Sequence, residues 1–300
     1  MFVGPSPRKD NVIESISFVT PHDDSYPAIS PSNFDLAGKS VLITGASRGI
    51  GKVTALRFAM AGCSKIVLIA RSPLDSVVTE VLAAAQSANR PPPTVLPLSL
   101  DVSSLSAVQS AISTVTETFN GVLDILISMA GNLTDWVPIG DSNPLEWSNT
   151  IDVNLKGLYY CVRSFFPLLL SSELKLILVT SSIGALGCSP GGSAYQMSKI
   201  ASARFAEFLD QEYHTQGLLP IAIHPGNVAT QIGLSLPKHL HEYLTDKPEM
   251  AGDFMVWLAS ERREWLAGRM VFANWDVGEL EKRKDEILER DLLKFGFRLG

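Results

Sequence analysis

The stretch Ser40-Val41-Leu42-Ile43-Thr44-Gly45-Ala46-Ser47-Arg48-Gly49-Ile50-Gly51 joins a short apolar run to a glycine-rich turn. A short continuous apolar run is typical of a buried parallel strand. Residues 52–61 follow with apolar side chains at helical spacing. A strand, a glycine turn and a helix in direct succession are the context that a dinucleotide-binding fingerprint needs. Its glycines let the backbone approach a pyrophosphate, which lies at the helix N-terminus.

The same alternation of apolar runs and helical periods continues along the chain. The predicted strands are residues 40–44, 65–70, 94–98, 123–128, 175–180, 219–223 and 269–272. The predicted helices are residues 52–61, 76–88, 105–119, 145–170, 195–216, 248–258 and 278–294. Strands separated by helices favour right-handed β-α-β units and a parallel sheet covered on both faces. We predict an α/β fold, a Rossmann-like doubly wound parallel sheet of about seven strands in a single domain.

The two ends of this domain differ in composition. Residues 1–35 combine prolines, which forbid a continuous helix, with apolar side chains, and predict an extended arm that packs across the domain, with its first ten residues disordered. The domain itself is predicted over residues 36–300. Between residues 231 and 246 the periodicity is lost, and this position beyond the carboxyl edge of the sheet predicts a lid.

Composition excludes several classes of partner. The net charge is -6 and no basic block occurs, which argues against nucleic acid. No apolar stretch is long enough to span a bilayer, so no membrane partner is predicted. The three cysteines form no C-x-x-C pair; they indicate a reducing, cytoplasmic location, and no metal site is predicted.

Arg71 stands 20 residues after Gly51, where an acid would bind the ribose 2′-hydroxyl of NAD. A basic residue there, together with Arg48 inside the glycine turn, can instead bind a 2′-phosphate. The alternative is a solvated loop arginine. The position favours the first interpretation and predicts NADP(H) as cofactor.

Tyr195 and Lys199 are one helical turn apart in the stretch Tyr195-Gln196-Met197-Ser198-Lys199. An ammonium at this spacing predicts a lowered pKa for the tyrosine, which could then exchange a proton with a carbonyl or an alcohol. Alone, the spacing is weak evidence, because a surface tyrosine beside a solvated lysine would look the same.

Together these motifs resemble the short-chain dehydrogenase/reductase family over residues 38–275. Thr44-Gly45-x-x-x-Gly49-x-Gly51 is similar to its cofactor turn, and Asp101-Val102 to its adenine-contacting pair. Asn154, Ser182, Tyr195 and Lys199 are similar to its catalytic residues. Pro225-Gly226-x-Val228-x-Thr230 is similar to its nicotinamide-side loop. The arm and the residues around 273–287 resemble those of fungal members, many associated with secondary metabolism.

The resemblance implies a set of roles. Tyr195 is the proton donor, Lys199 holds the nicotinamide ribose, Ser182 orients the substrate oxygen, and Asn154 holds a water that joins Lys199 to solvent. The implied cofactor-binding residues are Gly45, Ser47, Arg48, Gly49, Ile50, Gly51, Arg71, Asp101, Val102, Ala130, Gly131, Asn154, Tyr195, Lys199, Pro225, Gly226, Val228 and Thr230.

One motif departs from the family. The family usually has Asn-Asn-Ala-Gly after the fourth strand, and here the sequence is Ser128-Met129-Ala130-Gly131. The missing amides normally brace the centre of the sheet, so we expect altered bracing rather than lost binding. This departure is also the one hint of a non-redox cyclase or isomerase that keeps the cofactor as a structural element.

The expected substrate is a small apolar ketone or secondary alcohol, because the predicted pocket residues are mostly apolar. They are Trp136, Ala185, Leu186 and Cys188. Apolar residues around much of the helices at about 152–170 and 193–215 predict a homodimer or homotetramer. They are Tyr159, Tyr160, Phe165, Phe166, Phe205 and Phe208.

Overall fold

The computed structural model describes residues 17–296, and in them seven strands form one parallel sheet in the order β3-β2-β1-β4-β5-β6-β7. The strands are β1 Ser40–Thr44, β2 Lys65–Ala70, β3 Thr94–Ser99, β4 Ile125–Ser128, β5 Leu176–Thr180, β6 Leu219–His224 and β7 Met270–Phe272. Every residue of β1, β4, β5 and β6 is buried, as expected for strands covered on both faces. The predicted Rossmann-like single domain is confirmed.

Helices pack against the sheet in two groups. They are α1 Gly49–Met60, α2 Asp75–Ser87, α3 Leu105–Phe119, α4 Pro144–Ile151, α5 Gly157–Leu170, α6 Ser193–Tyr213, α7 Gln231–Leu234, α8 Pro248–Ser260, α9 Val277–Lys282 and α10 Lys284–Glu289. Helix α1 packs against α2 and α8, whereas α3 packs against α5 and α4 against α6. In a doubly wound sheet of this kind, ligands bind at the carboxyl ends of the central strands.

The long helix predicted at 145–170 is not uniform. It starts at Pro144, with the Asn143 side chain accepting a hydrogen bond from the Leu145 backbone N–H as an N-cap. Between α4 and α5 the chain makes a π turn over Asp152–Lys156. A π turn of this kind is frequent at functional sites, and this one carries Asn154.

The prediction of one helix over 278–294 is wrong. Helix α9 ends at Lys282, and α10 begins at Lys284 and ends at Glu289. At the break, the Arg283 guanidinium lies 3.6 Å from the centre of the Phe18 ring and donates a hydrogen bond to the Phe18 backbone oxygen. A contact with a residue so distant in sequence cannot be read from helical periodicity.

The described part of the arm, residues 17–35, lies against the C-terminal segment. The Tyr26 hydroxyl donates to the Trp275 oxygen at 3.0 Å and accepts from the Val277 backbone N–H at 2.8 Å. The His22 ring stacks on Tyr26 with centroids 3.7 Å apart and is paired with Asp276 at 3.0 Å. The first ten residues, which the sequence predicts to be disordered, lie outside the described part of the chain. Residues 297–300 lie outside it as well.

A buried ion pair joins the arm, α1 and α8. The Asp253 side chain is fully buried and accepts hydrogen bonds from two nitrogens of the Arg57 guanidinium and from the Ser25 hydroxyl. The hydrogen bonding between the Arg57 guanidinium and the Asp253 carboxylate raises the pKa of Arg57, and this effect outweighs the opposing effect of burial. The pair therefore holds three segments of the chain together.

Replacing Asp253 with alanine is expected to lower the free energy of unfolding by about 3 kcal/mol or more, because it leaves the Arg57 charge uncompensated. Urea unfolding measures the loss. Glu80→Ala is the matched control, since it breaks the half-exposed Lys52–Glu80 pair and should cost less than about 1 kcal/mol. Equal losses in the two variants would contradict this role for Asp253.

Candidate active site

The glycine turn after β1 has no room for a side chain at Gly45 or at Gly51. Gly45 has a φ of +70°, and a Cβ on it would lie 2.9 Å from the Cα and N of Ala130. A Cβ on Gly51 would lie 2.4 Å from the Gly45 oxygen. The turn therefore packs directly against the chain after β4 and leads into the N-terminus of α1, a favourable place for a pyrophosphate.

The altered turn after β4 has its own bracing. The Thr44 hydroxyl accepts hydrogen bonds from the backbone N–H groups of Met129 and Ala130, both at 3.0 Å. On the other side the Thr180 hydroxyl donates to the Met129 sulfur at 3.4 Å. Side chains at the ends of β1 and β5 thus hold this turn through its backbone and its thioether.

Asn154 connects the π turn to two other elements. Its side-chain oxygen accepts from the Asn132 backbone N–H at 2.6 Å. Its amide nitrogen donates to the Asn132 oxygen and to the Ser198 hydroxyl, both at 2.9 Å. A Cβ on Gly131 would lie 3.6 Å from the Asn154 oxygen and 3.8 Å from the Lys199 nitrogen, so the π turn, the β4 turn and α6 meet at one point.

Ser182, Tyr195 and Lys199 come together at the carboxyl end of β5. The Ser182 side chain caps a 3-10 turn by accepting from the Gly184 N–H at 3.1 Å, and it is also hydrogen-bonded to the Tyr195 phenol. The Lys199 nitrogen lies 5.6 Å from the centre of the Tyr195 ring and donates to the Thr180 oxygen at 3.0 Å. The structure thus brings all four predicted catalytic residues into one region.

The pKa of Tyr195 differs from the sequence expectation. Burial raises the pKa of this phenol, and the Ser182 hydrogen bond lowers it only in part. Burial also lowers the pKa of Lys199 to about 8, because the ammonium is desolvated. The prediction of a lowered tyrosine pKa is therefore wrong for this arrangement, since desolvation by burial outweighs the hydrogen bond with Ser182.

The loop after β6 faces the glycine turn. Pro225 is buried, and Gly226 has a φ of +95°, a conformation that favours glycine. At the other end of the loop the Thr230 hydroxyl caps α7 by accepting from Gly233 N–H at 3.2 Å. The Thr230 methyl lies 3.2 Å from the position of a Cβ on Gly49, so this loop and the cofactor turn are in contact.

Two arginines flank the region predicted for the ribose. Arg71 is 64% exposed and lies 3.9 Å from the Asp101 carboxylate. Arg48 is exposed at the start of α1. Val102 is buried against the backbone of Gly157. Both guanidinium groups are therefore free to reorient toward an anion, with Asp101 as a competing partner for Arg71.

The predicted substrate residues lie on two loops that are in contact. The first loop follows β4 and carries Trp136, and the second loop lies between β5 and α6. Trp136 packs on the backbone of the second loop, because a Cβ on Gly192 would lie 2.5 Å from its ring. The Gln196 amide holds the same loop by accepting from the Ser189 N–H at 2.8 Å. The three other predicted residues, all in or beside this second loop, are buried Ala185, half-buried Leu186 and exposed Cys188.

Sequence reasoning missed several side chains that support these residues. Asn132 and Ser198 are hydrogen-bonded to Asn154, and the Thr44 hydroxyl accepts from the Met129 N–H, a contact that the cofactor-turn motif does not predict. His224 Nδ1 accepts from the Ile183 N–H at 3.2 Å, and burial lowers its pKa to about 3, so the ring is neutral. The adjacency of His224 to Pro225 is the only signal in the sequence that could have drawn attention to it.

These features fit a nicotinamide dinucleotide. Gly45 and Gly51 allow the backbone to pack closely, since a Cβ on either would meet other backbone atoms, and the N-terminus of α1 suits a pyrophosphate. Arg48 and Arg71 are both exposed. Among residues 17–296 no group of three or more His, Cys, Asp or Glu side chains could hold a metal ion. In the same residues no helix has the length and apolar character needed to cross a bilayer.

The chain belongs to the short chain dehydrogenase family, whose sequence model matches residues 39–240. Short chain dehydrogenase citE of Monascus ruber is 48% identical over 273 residues, which cover 91% of this chain and 93% of that protein. Short chain dehydrogenase andI of Emericella variicolor is 40% identical over 278 residues, 93% of this chain and 95% of that one. The resemblance to fungal members is confirmed, and the chain is an oxidoreductase of this family.

Solved structures agree on the fold. Carveol dehydrogenase from Mycobacterium avium, solved with NAD, gives a TM-score of 0.69 at 22% identity and covers 80% of this chain and 97% of its own. A short chain dehydrogenase from Shigella flexneri, solved with NADP, gives 0.70 at 24% identity over 79% and 98% of the two chains. One of these two structures contains NAD and the other contains NADP. They therefore do not indicate which of the two cofactors this chain prefers.

Proposed function

We propose that this protein is an NADP-dependent oxidoreductase that interconverts a ketone and a secondary alcohol on a small apolar molecule, in a fungal secondary-metabolic reaction. The observation that carries the proposal is the convergence of Ser182, Tyr195 and Lys199 at the carboxyl end of β5, beside the glycine turn. The free thiols of all three cysteines suit a reducing, cytoplasmic compartment.

The proposed roles follow from the positions of the side chains. A bound nicotinamide supplies or accepts the hydride. Tyr195 gives its proton to the oxygen that becomes the alcohol, and Ser182, already hydrogen-bonded to the phenol, donates to the same oxygen. Lys199 places a positive charge beside the phenol and binds the nicotinamide ribose, and Asn154 links this group to the backbone after β4.

Residues 231–246 are the proposed lid. Helix α7 and a 3-10 turn at Lys238–Tyr243 form most of this segment. The Ile232 side chain reaches within 3.8 Å of a Cβ position on Gly131, which places the segment beside the catalytic residues. We propose that the apolar side chains of this segment, together with Trp136 and Leu186, form one wall of the substrate pocket, which would suit a bulky apolar substrate better than a sugar.

The sequence offers one argument for the non-redox alternative. That argument is the replacement of two amides by Ser128 and Met129. In the structure the Thr44 hydroxyl accepts hydrogen bonds from the backbone of that turn, and the Thr180 hydroxyl donates one to the Met129 sulfur, so the turn is braced without the amides. We therefore propose redox chemistry alone.

The redox proposal is tested by adding a panel of bulky apolar ketones to the protein with NADPH. Turnover is measured as loss of the reduced-nicotinamide absorbance. Binding of NADPH with no turnover of any ketone would count against the proposal.

We also propose a homodimer or homotetramer through α5 and α6. Of the six aromatic residues predicted for this surface, Phe165 is fully buried in the core and Phe166 packs on Tyr213. Tyr159 and Phe208 remain 48% and 57% exposed. Other exposed apolar side chains on α6 extend the same surface, namely Met197 and Ile200.

Phe208→Asp is expected to convert the oligomer to a monomer, because it places a charge in an apolar contact. Light scattering at micromolar concentration measures the mass. Leu82→Asp is the matched control, since Leu82 is an exposed apolar residue of α2, outside this surface, and its replacement should leave the mass unchanged. A monomeric wild type would contradict the assembly.

A further inference from the structure

Asp246, the last residue of the predicted lid, lies beneath the loop after β6. Its side chain is only 8% exposed. One carboxylate oxygen accepts a hydrogen bond from the Asn227 backbone N–H at 2.6 Å. The same oxygen lies 2.8 Å from the position that a Cβ on Gly226 would take. The carboxylate therefore occupies the space that the missing side chain of Gly226 leaves.

The backbone of Asp246 is tied to the same loop and to the arm. Its N–H donates to the Asn227 oxygen at 3.1 Å, and the residue forms a parallel bridge with Val228. The next residue, Lys247, donates its backbone N–H to the Asp23 oxygen at 2.8 Å. The backbone next to Asp246 is thus held by the arm, through Lys247, while the Asp246 carboxylate faces the loop.

The loop is held at both ends by different means. Asp246 holds the Gly226–Asn227 end, whereas the Thr230 end rests against Gly49 of the cofactor turn. Between these two points the loop has few ways to shift without breaking the charge-assisted hydrogen bond at Asn227. Because a displacement of about 1 Å at a site can cost 10²-fold in rate, such a support has kinetic consequences.

We propose that Asp246 is a positioning residue that sets the loop at residues 225–230 for the nicotinamide half of the cofactor, an inference that rests on the proposed function. The carboxylate acts through the Asn227 N–H and the space beside Gly226, and it touches neither the reacting atoms nor the adenine end. Its loss should therefore weaken the nicotinamide side of binding and spare the adenine side.

The test compares two variants of Asp246 with a matched pair at Asp124. Asp124 is also a buried acid that accepts a backbone N–H, from Ser40 at 2.8 Å, but it precedes β4 at the opposite edge of the sheet. Four quantities are measured for each protein. They are the KM of the reduced cofactor, kcat, the Kd of ADP as a probe of the adenine side, and the melting temperature.

Asp246→Ala is expected to raise the KM of the reduced cofactor and lower kcat, each by about 10-fold, with the Kd of ADP unchanged. Asp246→Asn keeps an acceptor for the Asn227 N–H and should recover most of both losses. Asp124→Ala and Asp124→Asn should lower the melting temperature. They should not raise the KM of the reduced cofactor while leaving the Kd of ADP unchanged.

Equal effects of Asp246→Ala on ADP and on the intact cofactor would overturn the inference, as would a raised KM with an unchanged Kd of ADP in the Asp124 variants. Failure of the proposed function is distinguishable, because it would show in the wild type itself, which would bind no nicotinamide nucleotide or would bind NADPH without turning over any ketone. In the second case the Kd of NADPH, compared with the Kd of ADP, still measures the effect of the Asp246 variants. The melting temperatures report whether each variant is folded, and Asp246→Asn provides the reading if Asp246→Ala does not fold.

Discussion

Tyr195→Phe is expected to lower turnover by about 10²-fold or more while leaving cofactor affinity nearly unchanged. The substitution removes the hydroxyl that Ser182 contacts and keeps the ring that packs beside Lys199. Because burial raises the pKa of Tyr195, the phenol is protonated at neutral pH, which is the form that ketone reduction consumes. Steady-state kinetics with NADPH and a turned-over ketone measure the loss.

Tyr213→Phe is the matched control for this substitution. Tyr213 ends the same helix α6, where its ring packs on Phe166, so the control removes a hydroxyl from a tyrosine of that helix. We expect wild-type turnover from it. A Tyr195→Phe enzyme that works at nearly the wild-type rate would show that another group supplies the proton.

The second large effect concerns the choice of cofactor. Arg71→Asp should weaken NADPH binding by about 10²-fold and leave NADH binding similar or tighter, because charge-assisted hydrogen bonds contribute about 1.5–3 kcal/mol each before screening. An acid at this position would repel a 2′-phosphate and accept a hydrogen bond from a ribose hydroxyl. The variant should also flatten the salt dependence of NADPH affinity.

Arg290→Asp controls for net charge, since Arg290 is 65% exposed, close to the 64% of Arg71, and lies near the C-terminal end of α10. Fluorescence titration with both cofactors gives the affinities. In the structure Arg71 is 3.9 Å from the Asp101 carboxylate, so NADPH binding must compete with that pair. Equal affinity of the wild type for NADPH and NADH would contradict the proposed role of Arg71.

Local sequence patterns predicted the elements whose burial and turn geometry leave a signature in adjacent residues. The strand, turn and helix at residues 40–60 were predictable because buried strands read as apolar runs and the glycines occupy positions where a Cβ would clash. The split between α9 and α10 was not predictable from helical periodicity, which carries no information on contacts such as that of Arg283, at the break, with Phe18, 265 residues away.

The same distinction holds for the candidate site. Asn154, Ser182, Tyr195 and Lys199 belong to recognisable spacings, but their supports come from distant segments. Asp246 reaches Asn227 across 19 residues, and the Thr44 hydroxyl reaches Met129 across 85, with no pattern in either stretch to indicate it. The pKa of Tyr195 was predicted in the wrong direction because burial is a property of the folded chain.

The most direct test of the redox proposal is the stoichiometry of a single reaction. A small molecule that co-purifies with the protein, or a ketone that is turned over, is incubated with NADPH, and both the reduced-nicotinamide absorbance and the product are quantified. The account predicts one NADPH oxidised for each alcohol formed, with the product mass increased by two hydrogens. Product of unchanged mass, formed while the NADPH absorbance stays constant, would contradict it and indicate a cyclase or isomerase.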